Sequence, residues 1–279
     1  MIYHAAAAVD TGHVHIRYFN DCPLEIIMIR NSYIFLPGIS EKGEQNIWQQ
    51  GIRSWDDFLS KKEIKGISKA RKIKYDYMIK EARRKLNEDD SSYFCEKIDS
   101  KEMWRLYDFF KEDAVFLDIE TSGVENGAYI TIIGLFDGIN TKVMVRNMNL
   151  DFDNLRKELK KYKIIVTFNG SRFDIPFLSK KCFDLFPDVP QIDLRTMCSK
   201  AGLKGGLKDI EKELGVKRQN KIVERMYGGD PFLLWRMFLG SGDDYYLRLL
   251  VEYNEEDCIN LKQIANISYE KIKTSISSC

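Results

Sequence analysis

The sequence predicts an α/β fold, a mixed sheet flanked by helices, with a small all-helical domain on its N-terminal side. Three observations support this prediction. Short apolar runs separated by turn residues follow one another in the middle of the chain, which is typical of strands. The first three runs are close enough for hairpins and the later ones alternate with helical spacing, so both strand directions are expected in one sheet. A polar, acidic break at 87–92 separates these runs from a basic helical stretch.

Composition narrows the class of protein. A chain of 279 residues accommodates one large domain with a small appendage, and 44% hydrophobic with 30% charged residues is typical of a soluble globular protein. No apolar run approaches the roughly 20 residues that span a bilayer, and the first residues lack the features of a signal peptide. The six cysteines form no close pair, which argues against a zinc ribbon or a disulfide framework and favours a cytoplasmic location.

The distribution of histidine excludes several kinds of active site. The three histidines are His4, His13 and His15, so the rest of the chain has no imidazole. Ser-His-Asp triads, HExxH zinc sites and histidine general bases are therefore excluded there. Chemistry in the body of the protein has to rely on carboxylates, tyrosine, lysine or metal ions.

The chain divides into four predicted segments, and no internal repeat is apparent. The residues before Met28 follow no pattern that we can assign, so the sequence leaves open whether translation starts at Met1 or at Met28. The segments are an unassigned extension (1–27), a helical unit (28–86), a linker (87–112) and the domain that contains the sheet (113–279).

Two short helices joined by a turn are predicted between residues 35 and 60. Pro37-Gly38 marks a tight turn and Ser40 caps the helix that follows, whereas Ser54 and Asp57 form a capping box that opens the next helix. This arrangement resembles a helix-hairpin-helix module, whose pattern reads roughly L-P-G-I-G, with Ser40 in place of the second glycine. The resemblance implies that backbone N–H groups of the hairpin hold a nucleic-acid phosphate. The alternative is a small helical packing unit.

A strongly basic segment follows at 61–85. It contains eleven lysines and arginines against three acids, with Tyr75 and Tyr77 interleaved. Neutralisation of phosphates dominates the affinity of proteins for nucleic acid, so this segment is a candidate for contact with the nucleic-acid backbone. The alternative is a solvated helix face.

The predicted sheet is built from five runs. Residues 151–162 have helical spacing between the third and fourth runs, and helical segments dominate after the fourth run. The runs are AVFLDI from Ala114, AYITIIGLFD from Ala128, TKVMVRN from Thr141, KIIVTF from Lys163 and QIDLR from Gln191.

The first run ends in two carboxylates. Side chains at positions i and i+2 of a strand share a face, so Asp118 and Glu120 lie together. Two anions on one face repel each other unless a positive group lies between them. An Asp-x-Glu triplet also occurs by chance, so further acids at the same place are needed.

Two later stretches supply those acids. Asp174 follows the strand that ends at Asn169-Gly170, at the carboxyl end where α/β sheets build their sites, although an Asp in a helix's first turn also complements the helix dipole. Tyr253 and Asp257 are i and i+4 on a helix and share a face. For that helix the alternative is an exposed acidic face.

In order and type, these residues resemble the three motifs of the DEDD exonuclease superfamily. The Y-x-x-x-D spacing of Tyr253 and Asp257 is that of the tyrosine subgroup. The stretches FNGSRFDIPFL, IDLR, GLKGGLKDIEKELGV and YNEEDCINL also resemble the YprB-type ribonuclease H-like domain, over about 113–265. The segment VKRQNKIVERMYGG follows that family only loosely.

The resemblance implies a ribonuclease H-like fold and a metal-dependent 3′–5′ exonuclease acting on single-stranded DNA or RNA. Two Mg²⁺ or Mn²⁺ ions would be held by carboxylates, because these ions prefer oxygen ligands. Tyr253, whose phenol has a pKa of about 10, is expected to orient the attacking water rather than to act as a base. The rivals are an endonuclease on structured or hybrid duplexes and an inactive nucleic-acid-binding module. The predicted metal ligands are Asp118, Glu120, Asp174 and Asp257, and the predicted substrate contacts are Asn169, Ser171, Arg172, Lys204 and Lys208.

Overall fold

The computed structural model describes residues 28–123, 125, 127–218, 222 and 230–277. The predicted extension 1–27, the three histidines and most of the segment 216–229 lie outside the described residues. Within the described part, no helix is both long enough and apolar enough to cross a membrane. The four cysteines of that part are free thiols.

Four helices open the described chain, and serine caps set the starts of the last three. The hydroxyl of Ser40 accepts a hydrogen bond from the Gly43 N–H at 3.3 Å, and Ser54 and Asp57 form the predicted capping box. Ser68 caps the longest of the four in the same way. These helices are α1 (Met28–Asn31), α2 (Glu41–Trp48), α3 (Trp55–Ser60) and α4 (Lys69–Asn87).

The segment 87–112, predicted as a linker, is folded into short helical turns. Trp104 and Tyr107 are buried there, in one hydrophobic cluster that also contains side chains of the first four helices and of the sheet. The division of the chain into separate domains stays a prediction. The turns are 3₁₀ helices at Ser91–Phe94, Ser100–Leu106 and Lys111–Asp113, with α5 at Tyr107–Phe110.

Five strands form one mixed sheet, as predicted. The order is β3-β2-β1-β4-β5, in which β2 is antiparallel to β1 and β3, whereas β4 and β5 run parallel to β1. The strands are β1 (Ala114–Thr121), β2 (Ile130–Phe136), β3 (Thr141–Val145), β4 (Ile164–Thr167) and β5 (Gln191–Asp193).

Helices cover both faces of this sheet, which confirms the predicted fold class. The alternating side chains of β1 assign the faces: Val115 and Leu117 pack with α6, whereas Ala114 and Phe116 share a cluster with the N-terminal helices and α11. The helices are α6 (Phe152–Leu159), α7 (Asp174–Lys181), α8 (Leu194–Lys200), α9 (Leu207–Leu214), α10 (Pro231–Ser241) and α11 (Asp244–Ser277).

Candidate active site

The central strand carries the first two acids to the face covered by α11. Asp118 and Glu120 continue the alternation of Ala114 and Phe116, so both side chains point to that face. The ladder between β1 and β2 shifts register between Glu120 and Thr121, at the end of the strand. The two carboxylates therefore lie together where regular pairing stops.

Helix α11 brings the third acid to the same place. It packs against β1 and β2, and Asp257 is 5% exposed. One carboxylate oxygen from each of Asp118, Glu120 and Asp257 lies within 4.8 Å of the other two. We call these three residues the acid cluster, and they are the sequence-predicted ligands that the fold gathers most closely.

Asp174 lies beside the acid cluster rather than within it. It is the first residue of α7 and is buried, and its Oδ1 accepts a hydrogen bond from the backbone N–H of Ile119 at 3.1 Å. This bond ties the start of α7 to the strand between Asp118 and Glu120. The charge of Asp174 also acts on both of those carboxylates.

Mutual repulsion makes the acid cluster a good fit for a cation. Burial, followed by the charge of Asp257, raises the pKa of Asp118 and of Glu120 well above the usual range. Burial raises the pKa of Asp174 to about 7 and that of Asp257 to about 6. At Asp257 the nearby charge of Arg218 lowers the pKa and offsets part of the effect of burial. Carboxylate oxygens are the ligands that Mg²⁺ and Mn²⁺ prefer, so the donor set matches the predicted metal.

Tyr253 lies one helical turn before Asp257, and two cationic side chains lie near its ring. The Arg218 Cζ lies 5.0 Å and the Lys208 Nζ 5.4 Å from the centre of its ring. Burial and the charges of Asp257 and Glu120 raise the pKa of the phenol. The hydroxyl is therefore protonated at neutral pH and can donate a hydrogen bond.

Arg218 is a residue of this site that the sequence analysis missed. Its Nη2 pairs with Asp257, and its Nε and Nη2 bond to the two oxygens of Glu211 at 2.9 and 3.0 Å. Asn260 donates to the same carboxylate at 2.8 Å. The sequence does contain a signal for this cation. Glu211 lies next to Ile210 on the apolar face of α9, and an acid on a buried face predicts a cationic partner.

Asn254 is a second residue that was missed. It is fully buried, and its Nδ2 donates to the Asp118 Oδ2 at 2.8 Å. Gly134 of β2 pairs with Asp118 across the ladder, and a Cβ at Gly134 would lie 2.1 Å from the Asn254 Oδ1. A glycine is required here because α11 approaches the sheet so closely.

The predicted substrate contacts after β4 are partly engaged in the loop itself. Asp193 accepts a hydrogen bond from the Asn169 N–H at 2.8 Å and from the Ser171 hydroxyl at 2.5 Å. Arg195 donates to the Asn169 side chain at 3.0 Å, and Asn169 itself has a positive φ of 60°. Arg172 is exposed. Asp193 therefore organises the loop that leads to Asp174.

The two predicted lysines differ in their position. Lys204 lies in the exposed loop before α9, whereas Lys208 lies over the Tyr253 ring. The charge of Lys208 also lowers the pKa of Glu120 and of Asp257, against the larger effect of burial. Lys208 is thus at the edge of the acid cluster.

Comparison with known proteins identifies the family. A family model described as the RNase_H superfamily matches residues 115–269, more than half of the chain. The match includes the acid cluster, Asp174 and Tyr253. No curated protein gives a significant match to the chain.

Proposed function

Because the chain belongs to the RNase_H superfamily, we propose that it is a metal-dependent nuclease that removes nucleotides from the 3′ end of single-stranded nucleic acid. Membership of this superfamily and the acidic residues support a nuclease. The observation that carries the proposal is the acid cluster, in which three carboxylates on two elements meet within 4.8 Å. The finer assignment, a 3′–5′ exonuclease of the DEDD superfamily's tyrosine subgroup with a YprB-type domain, rests on the ordered set that also includes Asp174 and Tyr253.

The metal ions would be held by Asp118, Glu120 and Asp257, with Asp174 completing the set. Divalent ions in such a site polarise the scissile phosphate and raise the acidity of the attacking water. Both Mg²⁺ and Mn²⁺ suit carboxylate ligands. Asn254 fixes one oxygen of Asp118, which leaves the other for a ligand.

The surrounding side chains position the reacting groups. The protonated hydroxyl of Tyr253 donates a hydrogen bond to the water or to a phosphate oxygen. Glu211 holds Arg218 next to Asp257, so a positive charge stays near the reacting phosphate. Lys208, over the same tyrosine ring, adds a second positive charge at the edge of the site.

Single-stranded DNA and RNA oligomers of one sequence, labelled at the 5′ end, test this proposal. The protein is incubated with them in Mg²⁺ or Mn²⁺, with Asp118→Asn and a chelator as controls. A ladder that shortens by one nucleotide at a time, absent from both controls, supports the exonuclease and identifies the preferred sugar. Internal cuts of duplex substrates would instead assign an endonuclease, and binding without cleavage would assign a nucleic-acid-binding module.

A further inference from the structure

The N-terminal helices contain the same hairpin twice. The first hairpin (Leu36–Ser40, LPGIS) and the second hairpin (Ile64–Ser68, IKGIS) match at three of five positions. In each, the isoleucine N–H donates to the first residue's carbonyl at 3.0 Å, and the glycine has a positive φ of 77° or 87°. In each, the serine caps the following helix over 3.3 Å. This corrects the expectation that the chain has no internal repeat.

The first hairpin is occupied by contacts within the protein. The carbonyl of Pro37 accepts hydrogen bonds from the Tyr75 hydroxyl at 2.6 Å and from the Arg71 Nη2 at 3.3 Å. The helix that it opens has acids in its first turn, which disfavours an anion there. One of them, Glu44, pairs with the buried Arg105 at 2.9 Å. This hairpin anchors the helices to the rest of the molecule.

The second hairpin is surrounded by positive rather than negative charge. It opens α4, which has no acid in its first turn and is 19 residues long. A cavity of about 440 Å³ lies between the hairpin and this helix, and four lysines contribute to its lining. They are Lys62, Lys65, Lys69 and Lys72.

One part of the cavity lining is fixed by contacts within the protein, and the other part is exposed to solvent. Lys72 is buried and pairs with Asp76, whereas the other three lysines are exposed. The side chain of Gln50 fixes the backbone of Lys65 through two hydrogen bonds, at 2.9 and 3.2 Å. Glu63 also lines the cavity and pairs with Lys69 at 3.3 Å, but both side chains are largely exposed, and a pair of that kind contributes little.

The exposed face of α4 extends the basic surface with apolar groups. Ile73 and Tyr77 follow Lys69 at intervals of four residues, so the three share a face. Ile73 is 72% and Tyr77 68% exposed, which is unusual for side chains of this size. The exposed ring of Tyr77 among lysines suits single-stranded nucleic acid, because bases stack on aromatic rings and lysines neutralise phosphates.

We propose that the second hairpin and the adjoining face of α4 bind the backbone and a base of single-stranded nucleic acid, whereas the first hairpin serves only as an anchor. This inference rests on the proposed function for the identity of the polyanion. Lysines act as point charges and do not read base edges, so the contact is independent of sequence.

Fluorescence anisotropy with a 5′-labelled single-stranded oligonucleotide in chelator tests the surface without cleavage. The full chain with Lys62→Gln, Lys65→Gln and Lys69→Gln should bind at least about tenfold more weakly at 0.1 M salt, because each lost contact weakens the salt-dependent affinity. The magnitude of the slope of log K against log salt should fall by about 2, because each of the three lost phosphate contacts contributes roughly 0.7 to that slope. Tyr77→Ala should bind about fivefold more weakly, at the lower end for a lost stack.

The matched control removes three exposed lysines from the other face of the sheet. Lys157→Gln, Lys160→Gln and Lys180→Gln change the net charge equally and should leave affinity and slope as in the wild type. Circular dichroism checks that each variant is folded. Equal losses of affinity in both triple variants would overturn the proposal. It would also be overturned if the wild type bound a duplex more tightly than the single strand and only the hairpin variant lost that duplex binding.

A small substrate separates this inference from the proposed nuclease. Hydrolysis of the p-nitrophenyl ester of thymidine 5′-phosphate, in wild type and Asp118→Asn, reports on the acid cluster without a strand. No hydrolysis of the ester or of any oligomer, with binding still lost in the hairpin variant, would refute the nuclease and keep the binding surface. Hydrolysis with unchanged oligonucleotide binding in the hairpin variant would refute the surface and keep the nuclease.

Discussion

Two groups of acids in this molecule differ in how far nearby cations balance their charge. Beneath the N-terminal helices, Arg105 bonds to Glu44 at 2.9 Å and to Glu102 at 2.8 Å, and we call these three residues the core ion cluster. In the acid cluster on the sheet, the ion pair found in the described part of the chain is that of Arg218 with Asp257. Asp118 and Glu120 face each other and Asp257 instead.

The comparison shows how a structural cluster differs from a functional one. Buried ions are tolerated when their partners and hydrogen bonds are built into the fold, as the Ser32 hydroxyl and the Tyr33 N–H provide for Glu44 at 2.8 and 2.6 Å. Close anions without enough nearby cations repel each other and lower the stability of the folded protein. Such a deficit is expected where a ligand supplies the missing charge.

The largest effect is expected from Asp118→Asn. Loss of this ligand should lower nuclease activity at least about a thousandfold, roughly 4 kcal/mol of transition-state stabilisation. In chelator the same variant should melt a few degrees higher than the wild type, because one repelling charge is gone. Thermal unfolding and the oligonucleotide assay measure both changes. Glu96→Gln, an exposed neutralisation, is the control, and an active Asp118→Asn would refute the role of the acid cluster.

Arg105→Met should have the opposite effect on stability. It leaves Glu44 and Glu102 buried with one cation fewer, and breaking a buried pair on one side costs about 3–5 kcal/mol. Urea unfolding measures the free energy, and Arg53→Met on the surface is the control. A loss below about 1 kcal/mol would show that the two clusters are not as different as their contacts indicate.

Divalent metal should stabilise the acid cluster and change its pH dependence. At a hundred times its dissociation constant, Mn²⁺ should raise the free energy of unfolding by about 2.7 kcal/mol. In chelator, the contribution of Asp257 and Asp174 to stability should be fully present below about pH 4 and be lost as the pH rises through about 6 and about 7, where they lose their protons in the folded state. Each folded pKa lies above the unfolded value, so the unfolded state releases its protons first.

Calorimetric melting from pH 4 to 8, with and without Mn²⁺, measures this dependence. Metal should remove most of the decline, because it favours the ionised carboxylates. Asp257→Asn should lose most of the metal-induced stabilisation, whereas Glu96→Gln should keep it. Stability that rises with pH in chelator would contradict the pKa shifts of the acid cluster.

The smallest effect is expected from Tyr253→Phe, which removes only a hydroxyl. The rate constant kcat should fall about 10- to 100-fold with little change in KM, because a single hydrogen bond to the reacting groups is lost. Metal-induced stabilisation should persist, since no carboxylate is touched. A variant with full activity would restrict Tyr253 to packing under Arg218 and Lys208.

Local geometry explains what could be predicted from the sequence. The pairing of Asp118 with Glu120 follows from the two-residue period of a strand, and that of Tyr253 with Asp257 from the helical turn. Both periods are properties of the chain within a few residues. The capping box of Ser54 is equally local, and it was also predicted and confirmed.

Contacts distant in sequence explain what was missed. Arg218 and Asn254 matter because α11 packs against the sheet and against α9, which no local pattern reveals. The substrate contacts of Asn169 and Ser171 stay a prediction, and their hydrogen bonds to Asp193, 24 and 22 residues along the chain, were not foreseen. The second hairpin escaped notice because Lys65 replaces the Pro37 of the first, although glycine and serine preserve the backbone shape.

Helix α11 connects the two ends of this molecule. It carries Asp257 near its middle, and further along it Asn266 accepts a hydrogen bond from the Tyr107 hydroxyl at 2.8 Å and the Tyr269 hydroxyl accepts one from the Met28 N–H at 3.3 Å. Met28 of α1, Tyr107 of α5 and the carboxylate of Asp257 are thus positioned by one continuous helix. If the second hairpin binds the strand, cleavage should depend on oligomer length. Oligomers too short to extend from the hairpin to the acid cluster should be cleaved less efficiently than longer ones, with an abrupt change at one length.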